Sequence, residues 1–395
     1  MLSKKAMGIS PSTTLAIDAK FKQMKANGED VVGFGAGEPD FDTPKHIKEA
    51  AIKAIENNQT RYTPAAGTVE LRKAVAEKFK RENGLDYDFT NIVISNGAKH
   101  SLVNAFMAIL NPGDEVIVPA PFWVSYAEMV KIADGVPVVV NTTEEQGFKI
   151  SPEQILSAIT DKTKAIIINS PSNPTGMVYT KAELEKIADI AVENNIYVIS
   201  DEIYEHLIYE GEHVSIASLD EKIKDLTIVI NGVSKTYAMT GWRIGFAAAN
   251  AEIAKIMANV QSHASSNPNS IAQAAAIAAL KGGMAEVEEM KKHFEKRRNF
   301  MVEMINEMEG VSCLMPNGAF YIMMNIKKLF GREMYGTVIN SSDDFAETFL
   351  RVAKVAVVPC TGFGAPEYVR WSYATSMDNI VEGLERLKKF LSGKY

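Results

Sequence analysis

Short β-branched runs alternate with helical patterns through the middle of this chain. No other feature restricts the fold as much. The runs are Ile92-Val93-Ile94, Glu115-Val116-Ile117-Val118, Val136 to Val140, Ala165-Ile166-Ile167-Ile168, Ile196-Tyr197-Val198-Ile199 and Thr227 to Ile230, with Ile244-Gly245-Phe246-Ala247 as a further candidate. Helical patterns such as Ser101 to Leu110, Ser151 to Ile159 and Thr180 to Asn194 lie between them. Thr180 can cap its helix and Glu183 completes a capping box. Strands apolar on both faces and separated by helices imply an α/β fold, with a mostly parallel sheet sandwiched by helices.

After about residue 281 the pattern changes. Met284 to Met308 reads as one long charged amphipathic helix. Its Lys291, Lys292, Lys296, Arg297 and Arg298 are interleaved with five acidic residues, so a solvated face is expected rather than a nucleic-acid patch. Short strands near Gly318 to Asn325, Val355 to Pro359 and Tyr368 to Tyr373 follow, then a helix from Met377 to Leu391. This predicts a smaller α+β domain. The first forty residues read as irregular and are expected to pack with it. The 395 residues suffice for such a pair: a large domain over 41–281, and a small one from 1–40 and 282–395.

A net charge of −7 argues against nucleic acid or an anionic membrane as the main partner. The two cysteines, Cys313 and Cys360, have neither zinc-ligand nor disulfide-framework spacing, and packing roles are expected. No apolar run approaches the ~20 residues of a membrane span. Lys4 and Lys5 lack an apolar stretch behind them, so no signal peptide and a cytoplasmic location are expected.

Ligands of open parallel sheets bind beyond the carboxyl ends of the strands. Five of these ends carry polar or aromatic residues: Ser95 to Lys99, Pro119 to Trp123, Asn169 to Gly176, Ser200 to Tyr204, and the segment holding Ser234 and Lys235. Ser95 to Lys99 is either a capped helix start or, through its bare N–H groups, a phosphate site. Trp123 packs in a core or stacks on a flat ring. Asn173 is a turn residue or bonds a ring hydroxyl. Asp201 is a cap or pairs a protonated ring nitrogen, because an unpaired carboxylate so near a core is costly. Tyr204, three residues on, can reach the same ring. Gly33-Phe34-Gly35-Ala36-Gly37 has the wrong spacing for a dinucleotide loop and fits a substrate-facing backbone better. Arg370, in an apolar strand, forms an interface ion pair or clamps a carboxylate.

Lys235 follows the Thr227 to Ile230 run on a turn. Partial burial and a nearby cation lower a lysine's affinity for its proton, and a neutral amine forms Schiff bases with aldehydes. Arg243, eight residues on, supplies that cation and a fork for phosphate. The pair describes a lysine that holds pyridoxal phosphate.

Gly35-Ala36-Gly37-Glu38-Pro39-Asp40-Phe41, Asn173-Pro174-Thr175-Gly176, Ser200-Asp201-Glu202-Ile203-Tyr204 and Ser234-Lys235 to Arg243 occur in that order. With these motifs the chain resembles, over nearly its whole length, the class I aminotransferases of the fold-type I pyridoxal-phosphate enzymes. Glu38 to Pro44, Tyr204-Glu205-His206-Leu207 and Arg370 to Ser376 resemble the thermophilic-bacterial subgroup of aspartate aminotransferases. The resemblance implies that Lys235 binds the cofactor aldehyde and then moves the proton between the substrate α-carbon and the cofactor. Asp201 is to pair the pyridine nitrogen, Tyr204 and Asn173 to bond the 3′-oxygen, and Trp123 to stack on the ring. Arg243, Ser234 and the backbone of Ala98 and Lys99 are to hold the phosphate. Arg370, helped by Asn173 and the backbone of Gly37, is to hold the substrate α-carboxylate.

The same resemblance implies a homodimer with shared sites, in which Tyr62 reaches the neighbouring subunit's phosphate. It makes Ala120-Pro121 and Asn173-Pro174 candidate cis peptides. Two departures stand out. Gly232 replaces a serine found three residues before the lysine in many relatives, and Ser10 replaces a basic residue that accompanies prephenate turnover. Lys99 is the specificity residue, implied to face the side-chain carboxylate of the substrate. The expected reaction is L-aspartate plus 2-oxoglutarate giving oxaloacetate plus L-glutamate. An aromatic or prephenate aminotransferase, or a β-lyase on the same cofactor, remains an alternative.

Overall fold

The computed structural model describes residues 2–11 and 13–395. Among them a seven-stranded sheet runs in the order Ile92–Ser95, Gly245–Ala248, Thr227–Gly232, Tyr197–Asp201, Thr163–Asn169, Glu115–Ala120, Val136–Asn141. All are parallel except Gly245–Ala248, which runs against both of its neighbours. Each expected run is a strand, and the further candidate is the antiparallel one.

The strands point alternate residues to opposite faces. Val116, Val118, Ile167 and Ile230 pack with Leu102 and Phe106 of the helix Ala98–Ile109. Ile117, Ile166, Ile168 and Val198 pack with Leu184, Ile187 and Ala191 of the helix Lys181–Asn194. Full burial of one such side chain contributes about 1.5–3 kcal/mol, so helices on both faces are what make these apolar strands stable. Thr180 caps Lys181–Asn194 and Glu183 returns the bond to the Thr180 N–H at 2.7 Å.

Beyond the helix Ser270–Lys281 comes the 22-residue helix Ala285–Asn306. An antiparallel sheet follows in the order Val358–Pro359, Tyr368–Ser372, Tyr321–Asn325. Phe294, Phe320, Phe349, Trp371 and Phe390 lie in its aromatic-rich core, which the helix Met377–Leu391 helps to cover.

Two expectations need correction. The first forty residues are not irregular: Lys4–Met7 and Thr13–Ala26 are helical, and Val32–Gly33 pairs in parallel with Val355–Ala356. Ile17, Phe21 and Met24 fall at helical spacing and pack against Val31, Leu350 and Ala356. Nor are Arg297 and Arg298 solvated. Arg297 grips Asp40 with two bonds of 2.7 and 3.0 Å, and Arg298 bonds the Pro316 carbonyl at 2.8 Å. Both cysteines are free and buried. No described helix is long and apolar enough to cross a membrane.

Candidate active site

The carboxyl ends of five parallel strands open into one cavity of about 270 Å³. Ala98 and Lys99 follow the first strand of the chain's sheet, Trp123 the next, and Asn173 follows Thr163–Asn169. Asp201 ends Tyr197–Asp201, with Tyr204 just beyond, and Ser234 and Lys235 follow Thr227–Gly232. All line the cavity together with Gly37, Arg243 and Arg370. Tyr62 is the one expected site residue that does not, and it stands 92% exposed.

Lys235 extends from its turn to the Gly37 carbonyl, to which its amine donates. Burial, with Arg370 and Arg243 nearby, outweighs the pull of Glu38 and lowers its pKa to about 8. Asp201 is buried beneath it. Burial raises the Asp201 pKa to about 6, although Tyr126 donates to Oδ2 at 2.6 Å and the Ile203 N–H to Oδ1 at 3.3 Å. A buried carboxylate left this high lacks a strong cationic partner. The hydroxyls of Tyr204 and Tyr321 lie 2.9 Å apart, and burial pushes the Tyr204 phenol well above its ordinary value.

Arg370 is fixed in the central strand of the antiparallel sheet. It donates to Asn173 Oδ1 at 2.9 Å and to the Gly35 carbonyl at 3.0 Å, and its Cζ lies 4.4 Å from the centre of the Tyr321 ring. Its Nε is buried without a partner, and no carboxylate pairs with it among the described residues. A buried guanidinium in that state asks for an anionic ligand. The glycine-rich segment therefore supplies two carbonyls, Gly35 to Arg370 and Gly37 to Lys235.

The helix Ala98–Ile109 begins at Gly97, which has φ 88° and no side chain to cap it. Its first N–H groups are thus left for a ligand. A Cβ on Gly97 would collide with the Arg243 guanidinium, which bonds the carbonyls of Thr240 at 2.9 Å and Asn96 at 3.2 Å. Arg243 itself adopts φ 57°, an uncommon conformation that turns it back toward this helix start. Dipole and arginine converge as a phosphate requires. Gly232 has its own packing reason: a Cβ there would lie 3.0 Å from the Gly245 Cα and the Ile244 carbonyl. The side chain of Lys99 sits over the Trp123 ring at 4.7 Å, and burial with Arg243 nearby lowers its pKa.

Two aromatic residues of the cavity, Tyr126 and Tyr321, are not among the expected site residues. Tyr126 is three residues after Trp123, and its N–H closes a turn on the Trp123 carbonyl at 2.9 Å; that spacing is the signal that could have found it. Tyr321 sits in an apolar strand with no polar neighbour to mark it. The peptides Ala120-Pro121 and Asn173-Pro174 are cis as expected, and Ser170-Pro171 is cis as well.

The residues fit pyridoxal phosphate: an amine of lowered pKa for its aldehyde, an arginine and bare N–H groups for its phosphate, and a buried unpaired carboxylate for its ring nitrogen. Fold and site together define a fold-type I pyridoxal-phosphate enzyme. The family described as aminotransferase class I and II matches residues 29–387, and the chain belongs to it. An aspartate aminotransferase of Bacillus sp. (strain YM-2) is 52% identical over 99% of both chains. An aspartate/prephenate aminotransferase of Nitrosomonas europaea is 45% identical over 99% of this chain and 100% of its own. The structure of an aspartate aminotransferase from Thermus thermophilus with maleate superposes with a TM-score of 0.94 at 45% identity, covering 99% of each chain. This chain is a pyridoxal-phosphate-dependent aminotransferase.

Proposed function

We propose that the enzyme is an aspartate aminotransferase, passing the amino group of L-aspartate to 2-oxoglutarate in two half-reactions. One observation carries the choice of substrate. Arg370 and Lys99 line one cavity in which, among the described residues, Asp201 is the one carboxylate. Two separated cations suit a dicarboxylic amino acid, and relatives named for aspartate, one of them solved with the dicarboxylate maleate, support the reading.

When bound, pyridoxal phosphate supplies an electron sink for the carbanion at the substrate α-carbon. The chain's side chains do the rest. Arg370 holds the α-carboxylate through its free edge while Asn173 and Gly35 keep the guanidinium oriented. Lys99 takes the side-chain carboxylate. Lys235 would hold the cofactor aldehyde and would then serve as the acid–base that takes the proton of the substrate α-carbon, a task matched to a pKa of about 8. Asp201 keeps the ring nitrogen protonated. Tyr204 and Asn173 bond the ring oxygen, and Trp123 covers the ring. Arg243, Ser234 and the N–H groups of Ala98 and Lys99 hold the phosphate.

The exposed Tyr62 fits a homodimer in which it completes the neighbour's phosphate site. Residues 41–281 read as the large cofactor-binding domain and 1–40 with 282–395 as the small one, supported by the pairing of Val32–Gly33 with Val355–Ala356, which joins the first segment to the last. A cytoplasmic location goes with this reading. A second substrate class is favoured by one observation. Lys99 forms no ion pair among the described residues and rests on Trp123, so it can swing aside for an aromatic donor. Ser10 at the position of the basic residue weighs against prephenate. A panel of amino donors with 2-oxoglutarate as acceptor tests the assignment. Aspartate should give the highest kcat/KM. Release of pyruvate and ammonia without a keto acid would identify a β-lyase instead.

A further inference from the structure

The turn from Asp201 to His206 presents its side chains to two sides. Asp201 and Tyr204 face the cavity. Glu202 and Glu205 face away from it, into a cluster of buried polar groups, and every oxygen there is held. Glu202 Oε1 accepts from Ser200 at 2.8 Å and Ser215 at 2.7 Å, while Oε2 lies 2.9 Å from His213 Nε2. Glu205 Oε1 accepts from Lys78 and, at 2.6 Å, from Asn231 Nδ2, while Oε2 accepts from Asn83 at 2.8 Å. The Lys78 and Glu205 side chains are only 3% and 4% exposed. The Asn231 amide faces Glu205 with its nitrogen and accepts the Gly232 N–H at 2.7 Å with its oxygen. Gly232 leads directly into Ser234 and Lys235.

The working groups therefore sit on two separate chain segments, the Asp201–Tyr204 turn and the strand end before Lys235. One carboxylate touches both supports. A misplacement of about 1 Å between catalytic groups costs on the order of a hundredfold in rate, so a rigid link between the segments has kinetic value. We propose that Glu205 is a positioning residue for transamination: held and neutralised by Lys78, it ties the turn bearing Asp201 and Tyr204, through Asn231, to the strand end bearing Lys235. Glu205 never meets substrate. This rests on Lys235, Asp201 and Tyr204 being the working groups, and not on which amino acid enters.

Two variants test the link. Asn231→Ala cuts it while leaving the Lys78–Glu205 pair whole. Lys78→Met combined with Glu205→Gln removes the two buried charges together, while Glu82, 3.5 Å from Lys78, keeps Arg81 and His206 as partners. In each holoenzyme kcat should fall roughly tenfold or more for every amino donor with KM little changed. The pH midpoint of the visible absorption of the Lys235-bound cofactor should shift by about half a unit or more, because that midpoint reads the setting of Lys235 against Asp201 and Tyr204. Melting temperatures and far-UV spectra should stay near wild type. Wild-type kcat and absorption midpoint in a folded Asn231→Ala protein would overturn the proposal, and that variant decides alone if the double variant does not fold. A wrong substrate assignment would appear in the wild-type donor panel and leave this comparison intact.

Discussion

The Tyr126 hydroxyl donates to the Asp201 carboxylate at 2.6 Å, a buried bond at the wall of the cavity. It is one of the few contacts that favour the ionised form of Asp201 against the burial that opposes it. Tyr126→Phe should let the Asp201 pKa climb further above 6. Activity needs the carboxylate charged, so the acid limb of the kcat/KM profile should move to higher pH. A bond to a charged group contributes about 1.5–3 kcal/mol, so a loss of roughly tenfold is expected at pH 7, shrinking as pH rises. A pH–rate profile with an unmoved acid limb would detach Tyr126 from the chemistry.

Asp201 is held at a cost to stability. Its pKa of about 6 in the fold compares with about 3.9 in an unfolded chain. Between those values the folded protein binds more protons than the unfolded one. Stability therefore falls as pH rises through that window and does not recover above it. Asp201→Asn removes the penalty. Without cofactor, the variant should be more stable than wild type at pH 7.5 by on the order of 1–3 kcal/mol, and equal to it near pH 4. Urea melts at the two pH values measure this. Turnover should nonetheless be lost, and equal stability at pH 7.5 would mean Asp201 carries no burial strain.

Lys99→Ala should raise KM for aspartate by roughly ten- to a hundredfold, the scale of one lost charge-assisted bond. KM for an aromatic donor should change little. Steady-state kinetics on the two donors decide it, and equal changes would remove Lys99 from substrate selection.

Tyr62→Phe should weaken cofactor retention by roughly tenfold without altering the kcat of the saturated enzyme, since one hydroxyl bond to phosphate is lost. Equilibrium dialysis measures this. Wild-type retention would take Tyr62 out of the phosphate site.

Much of this was legible because the chemistry sits where strands end. The β-branched runs are local patterns, and the residues after them reach one rim because parallel strands share a direction. Lys235, Asp201 and Asn173 could be found that way. Tyr321 could not, since its contact with Arg370 depends on the register of two antiparallel strands far apart in the chain, in which Ser372 lies opposite Tyr321. Glu205 was hidden for a different reason: its partners Lys78 and Asn231 lie 127 and 26 residues away along the chain. Arg297 and Arg298 were misjudged because local charge spacing cannot reveal Asp40, 257 residues from Arg297. The helix Thr13–Ala26 is marked in the sequence only by the helical spacing of Ile17, Phe21 and Met24.

The central claim is that Lys235 drives amino transfer from aspartate, and a single half-reaction tests it most directly. The holoenzyme is mixed with L-aspartate in the absence of any keto acid, and its visible spectrum and products are followed. The absorption of the Lys235-bound cofactor should vanish as oxaloacetate appears in an amount equal to the sites, and 2-oxoglutarate should restore it. Lys235→Ala should show neither change. A spectrum that keeps its absorption with no oxaloacetate formed, or a wild-type response in Lys235→Ala, would contradict the account.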